Sequence, residues 1–146
     1  MRLTVASLLG FAMLATLGCA GSIFDFTGHK EDALEESQRK YTELVRWGEI
    51  EGASAYVDPA ILTAFLDTAE LFQGIRFTDF ESGPLQFGDR SETATVTVVY
   101  HAYSTRTLVE KRLREHQEWY REARADNNWR VRPNLDALAK QLGDTR

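Results

Sequence analysis

Thr93-Ala-Thr-Val-Thr-Val-Val-Tyr-His-Ala-Tyr103 is the stretch whose reading decides the fold. Ala94, Val96, Val98, Tyr100 and Ala102 alternate with Thr93, Thr95, Thr97, Val99 and His101. A period of two with β-branched residues on both faces predicts a long, half-buried strand. Thr107 to Arg124 also fits a helix through Leu108, Val109, Leu113, His116 and Tyr120. Strand is the better choice, because Val109, Leu113 and Trp119 share a parity and Ala125-Asp126-Asn127-Asn128 reads as a hairpin turn into Trp129-Arg130-Val131. Pro133 closes that last strand, and Leu135 to Leu142 follows as a short terminal helix or a tail.

Upstream the period changes to helical. Leu34, Tyr41, Leu44 and Val45 recur between charges from Glu31 to Trp47, and Gly48 ends or bends that helix. A short second piece spans Ile50 to Tyr56. Asp58-Pro59 then opens a third helix, the carboxylate able to cap orphan N–H groups and proline preset for the first turn. Ile61, Leu62, Phe65, Leu66, Ala69 and Phe72 form its stripe, and Gly74 offers a left-handed stop. Ile75 to Ser82 alternates weakly, since Phe77 and Phe80 break strict parity, and Ser82-Gly83-Pro84 turns the chain into Leu85-Gln86-Phe87.

The first nineteen residues read differently from the rest. Arg2 precedes an apolar run from Leu3 to Leu17, which gives way to Gly18-Cys19-Ala20-Gly21-Ser22. A charged start, an apolar centre and small residues at a cleavage point make an export signal, and the run is short for a spanning helix. Ala15-Thr-Leu-Gly-Cys19 resembles the lipobox of bacterial lipoproteins, departing from its commonest form at Thr16. That resemblance implies residues 1–18 as a signal peptide, acyl chains (palmitate among them) on Cys19, and, with Ala20 rather than aspartate next, the periplasmic face of the outer membrane. Lipidation would also consume the single cysteine of an exported chain. Residues 19–30 are then a tether reaching under ~40 Å, whose Ile23, Phe24 and Phe26 favour docking on the domain over free movement.

What remains, residues 31–146, has the size of one domain with a real core. The chain carries 17 Lys+Arg against 22 Asp+Glu, and loss of Arg2 with the leader moves the net charge from −5 to −6. An acidic domain cannot neutralise phosphates along a polyanion, so nucleic acid is excluded as a partner.

Three helical segments followed by antiparallel strands predict an α+β fold with N-terminal helices packed against a curved sheet. The order of elements, the Tyr41-x5-Trp47-Gly48 helix end, Val57-Asp58-Pro59, and Glu118-Trp119-Tyr120 with Trp129-Arg130-Val131 resemble the cystatin-like fold of the nuclear transport factor two-like superfamily, and more narrowly small proteobacterial lipoproteins of that fold. The superfamily includes isomerases, dehydratases, ligand carriers and scaffolds, so fold alone does not imply an activity.

Candidate sites follow from register. A hairpin turning at Thr105-Arg106 would set Val98 opposite Leu113, Tyr100 opposite Lys111, Val96 opposite Glu115 and Ala94 opposite Gln117. Tyr100, Lys111, Glu115 and Gln117 would then line a cavity between sheet and helices, or meet water where the sheet outruns them. The other face would gather Thr97, Val99 and His101 against Glu110, Arg112 and Arg114, with an exposed His101–Glu110 pair. On this register His101 and His116 lie about 20 Å apart and cannot share a metal, and His29 has no second ligand at a recognisable spacing, so no metal or other cofactor is expected. Asp79 and Glu81 match the aspartate base of isomerase-like relatives by type only. Trp47, Trp119 and Trp129 could form an aromatic cage, but large aromatics at element ends are more often core. With no catalytic constellation in view, the leading expectation is a non-catalytic lipoprotein working by contact, with an envelope protein or a second copy as partner. A small hydrophobic-ligand binder or isomerase-like enzyme is the alternative. A closed apolar cavity of ~300 Å³ or more would favour the second, a filled interior the first.

Overall fold

The computed structural model describes residues 23–122 and 128–143. The leader, Cys19 and the start of the tether lie outside the described residues. Within them, α1 (Ile23–Trp47) and α2 (Ile50–Ala53) lead into 3₁₀ turns at Ser54–Tyr56 and Pro59–Ile61. Then come α3 (Leu62–Asp67), a 3₁₀ turn at Thr68–Phe72, β1 (Ile75–Ser82), β2 (Gln86–Phe87), β3 (Thr93–Ser104), β4 (Glu110–Arg121), β5 (Trp129–Pro133) and α4 (Leu135–Gly143). The sheet is antiparallel in the order β1-β3-β4-β5, with β2 sharing the β1 side of β3. Helices pack on the inward face of this curved sheet, so the α+β class expected from the sequence is the class observed.

β1 and β3 match the anticipated strands to within a residue, β4 starts later than the expected Thr107, and most of the expected turn at 125–128 lies outside the described residues; β3 buries the expected parity from Ala94 through Ala102. Helix α1 begins at Ile23, not Glu31, so the end of the presumed tether is helical. At its last residue the tether meets the sheet: Lys30 is buried, its ammonium reaches Glu92 at 2.7 Å, and the Trp129 indole donates to its carbonyl, while the side chains of Ile23, Phe24 and Phe26 lie outside the description. Arg121 grips the same carboxylate with two bonds of 2.8 Å, and these cations, Arg121 first, hold the Glu92 pKa down to about 2. The start of α1 is thereby tied to the far ends of β4 and β5.

The third expected helix is broken into two 3₁₀ turns around α3. Asp58 does cap it, accepting from the Ala60 N–H and also from Arg132, and the Ala60 bond is the first cause of its lowered pKa. Phe65 and Phe72 face the core, but Leu66, beside Phe65 within α3, is exposed, so the buried stripe is narrower than the expected one. Gly74 sits at φ +78°, the left-handed stop anticipated from sequence.

The parity break in β1 has a structural cause. A bulge between Phe77 and Asp79 leaves Thr78 out of the ladder. Two aromatics three residues apart therefore point the same way, and Phe77 and Phe80 both pack on Tyr100, at 5.4 and 6.4 Å between ring centroids.

The exposed edge of β4 is also managed. Where β5 no longer pairs, the Gln141 side chain of α4 accepts from the Arg114 N–H and donates to the Arg114 carbonyl, imitating a neighbouring strand.

Candidate functional site

The β3–β4 ladder is displaced by two residues from the predicted register. Tyr100 stands opposite Leu113, Val98 opposite Glu115, Val96 opposite Gln117 and Ala94 opposite Trp119. The connection is a wider loop than the predicted turn at Thr105-Arg106: Leu108 adopts φ 56° and its N–H bonds the Ser104 carbonyl at 2.8 Å. A shift of two preserves which face each side chain takes. Only the partners changed.

Tyr100, Glu115 and Gln117 are therefore brought together inside, as proposed from sequence. Lys111 is not. It pairs with Ala102 near the hairpin end and is half-buried, some 13 Å along the strand from Glu115. Its predicted place opposite Tyr100 is taken by Leu113, and Tyr41 of α1, which the sequence reading treated as a packing position, joins Glu115 instead.

Glu115 is the hub. Its Oε1 accepts from the Tyr41 hydroxyl at 2.7 Å, and its Oε2 accepts from the Tyr100 hydroxyl and the Gln117 amide, each at 2.8 Å. Gln117 Oε1 in turn accepts from the Trp119 indole at 3.0 Å. Tyr41, Tyr100, Glu115 and Gln117 are each 0 % exposed. No water-sized space touches them, so these polar groups meet neither solvent nor a cavity.

Burial pushes the Glu115 carboxyl above its usual range, and the three donated bonds, Tyr41's first, pull back without cancelling it. Burial raises both tyrosines well above theirs, which keeps their hydroxyls as donors. Chemically the set is a proton donor–acceptor cluster that is fully satisfied by protein alone.

A polar thread leads from it toward the surface. Gln117 and Gln38 both donate to Thr42 Oγ1, at 3.5 and 3.0 Å, and Gln38 also reaches Ser82 at 3.2 Å. Gln38 lines a cleft of ≈ 720 Å³ between α1 and the β1–β2 turn, with Phe80 and Leu85 on its far wall.

The outer sheet face holds the second candidate group. His101 lies between Glu81 and Glu110, one carboxylate at 3.1 Å from each ring nitrogen, while its ladder partner is Arg112. Two acceptors fit an imidazolium with both nitrogens protonated, and the bonds it donates to Glu110 and then Glu81 raise its pKa. The contribution of this clamp to stability is full below the ordinary histidine pKa and is lost as pH rises through the raised folded value. The His101 ring protons are expected to titrate by NMR with a midpoint above 6.5, returning toward it in Glu81→Gln/Glu110→Gln. An unshifted wild-type midpoint would show that the carboxylates do not hold the ring.

Among the described residues no group of three or more His, Cys, Asp or Glu side chains could hold a metal, and no helix is long and apolar enough to cross a membrane. Asp79 and Glu81 are exposed on β1, away from Glu115. The tryptophans do not form a cage: Trp119 and Trp129 are core, and Trp47 is 68 % exposed.

No protein-family model matches the chain. No curated protein matches it either. Among solved structures it is similar to one described as a candidate isomerase from Rhodopseudomonas palustris, at 14 % identity and a TM-score of 0.48, covering 77 % of this chain and 96 % of that one. It is similar also to one described as a candidate polyketide cyclase from a Silicibacter species, at 11 % identity and TM-score 0.45, covering 77 % and 94 %. A third, described as a candidate SnoaL-like polyketide cyclase from Mesorhizobium loti, has 10 % identity and TM-score 0.42, covering 68 % and 97 %. Likeness at this level says nothing about what this chain binds or converts.

Proposed function

We propose that the protein acts by contact in a bacterial cell envelope, as a scaffold or accessory subunit held to the outer membrane through acyl chains on Cys19. The observation that supports contact over turnover is the sealed Glu115 cluster: the polar groups best suited to chemistry are buried and spent on one another. The partner then meets the surface, where charged strands and the docked start of α1 are presented. Fractionation and cross-linking test this. Cys19→Ala should move the chain out of the membrane fraction, and cross-linking in cells should recover one envelope protein in constant ratio. A Cys19→Ala chain that stays membrane-bound would overturn the anchor, and repeated failure to recover a partner would overturn the contact role.

The alternative, a small hydrophobic-ligand binder or isomerase-like enzyme, draws support from the hydrogen-bond thread running from Gln38 in its cleft to Glu115. If the β1–β2 turn opened, a carboxyl of raised pKa between two phenols would face that cleft. Native mass spectrometry of the purified chain decides between them. A bound small molecule lost in Glu115→Gln favours this reading.

A further inference from the structure

A cleft of ≈ 520 Å³, which Glu115 does not line, opens at the end of α1, between the Arg46-Trp47-Gly48 terminus, the start of β1 and Thr105 of the β3–β4 loop. That volume lies within the range of small-molecule sites. Phe72 and Phe77 lie at its floor and Arg76 on its exposed wall. Trp47, 68 % exposed, offers its indole as a side wall, with the Arg46 guanidinium 4.9 Å from the ring centroid.

Arg46 is the unusual residue. The β1 bulge frees the Thr78 carbonyl, and Arg46 Nη2 donates to it at 2.6 Å. Its Nε–H is buried without an acceptor, the one such side-chain atom among the described residues. Buried donors are nearly always paired, so an orphan one on a cation lining a cleft asks for an explanation. The adjoining cleft, which shares Gln73, Gly74 and Thr105 with this one, adds Arg106 but also Glu70. Among the described residues that line the first cleft, the charged ones are Arg46 and Arg76.

We propose that this cleft binds a flat organic anion, an aryl or cyclic carboxylate. Its carboxylate takes the fork of the Arg46 guanidinium, which a small shift toward the cleft brings round so that Nε–H gains its acceptor. Arg76 supplies a second charge, and the ring stacks on Trp47 over the phenylalanine floor. Guanidinium is suited to this because its planar fork matches a carboxylate in a way an ammonium cannot. The site needs neither the membrane anchor nor the Glu115 carboxylate, although its Phe77 packs on Tyr100.

The test is a titration of the purified full chain with 2-naphthoate, followed by ¹H–¹⁵N NMR. The Trp47 indole and Arg46 Nε–H resonances should move together and saturate. The Trp119 and Trp129 indoles, both hydrogen-bonded in the core, should stay in place. Arg46→Lys, Trp47→Ala and the exposed-site variant Arg76→Ser should each weaken binding tenfold or more, with unmoved Trp119 and Trp129 signals showing that the fold is kept. The neutral 2-naphthalenemethanol should also bind at least tenfold more weakly. No shift at Trp47 up to the solubility limit, shifts at Trp119 instead, equal binding of the neutral alcohol, or inorganic phosphate matching naphthoate would each overturn the proposal.

Discussion

Glu115→Ala is expected to lower unfolding stability by roughly 3–5 kcal/mol, the cost of breaking a buried charged hydrogen-bonded group by removing one partner. Tyr41, Tyr100 and Gln117 each lose an acceptor, in a region with no access to water to replace it. Against a total of about 5–15 kcal/mol for an ordinary domain, that loss is severe. Urea denaturation measures it, and a loss under about 1 kcal/mol would mean the cluster is open to solvent. Combining Glu115→Leu with Tyr41→Phe and Tyr100→Phe should recover most of the loss, because both hydroxyls go with the carboxylate and the Gln117 amide keeps Thr42 Oγ1 as an acceptor. The pH dependence has a definite sign. The folded carboxyl is raised above the ordinary glutamate range, so the folded state binds the proton more tightly and this group's contribution falls as pH rises from the ordinary value to the folded pKa. Glu115→Gln should remove that slope.

Trp119→Ala is expected to cost a similar amount, roughly 3–5 kcal/mol. The indole is buried opposite the small Ala94, with its ring edge-on to Tyr41 at 5.8 Å and 87°. Removing it leaves a cavity under α1, takes away a wall of the Glu115 cluster, and deprives Gln117 Oε1 of its donor. The two effects couple through Gln117. A double-mutant cycle of Trp119→Ala with Glu115→Ala should therefore show a loss smaller than the sum of the single losses. Strict additivity would indicate two separate packing sites.

Part of this was legible in the chain. The alternation over Thr93–Tyr103 placed Tyr100 inside, and parity in the next strand placed Glu115 and Gln117 on the same face. Parity survived the two-residue error in register, so three of the four nominated residues meet. Lys111 failed because its placement depended on the turn, where Leu108 enters the left-handed region with no glycine or asparagine to announce it. Tyr41 was missed because a tyrosine in an apolar helical stripe looks like packing. Its hydroxyl matters only once a carboxylate 74 positions away is brought within 2.7 Å. The β1 bulge showed as a flaw in alternation at Phe77 and Phe80, but nothing in sequence said that Thr78 would be the residue expelled or that Arg46 would seize its carbonyl.

By itself the sequence determined the class of fold, the inward face of each long strand, the Asp58 cap and the Gly74 stop. These depend on hydrophobic periodicity and backbone stereochemistry, which act over a few residues. Only the tertiary structure decided which polar groups became partners, that their cluster is sealed, and that the cationic cleft forms at the end of α1. Those outcomes depend on loop length, on one bulge and on the seating of α1 against the sheet. Each is a long-range event that sets distances to within an ångström, and hydrogen bonds respond to differences of that size.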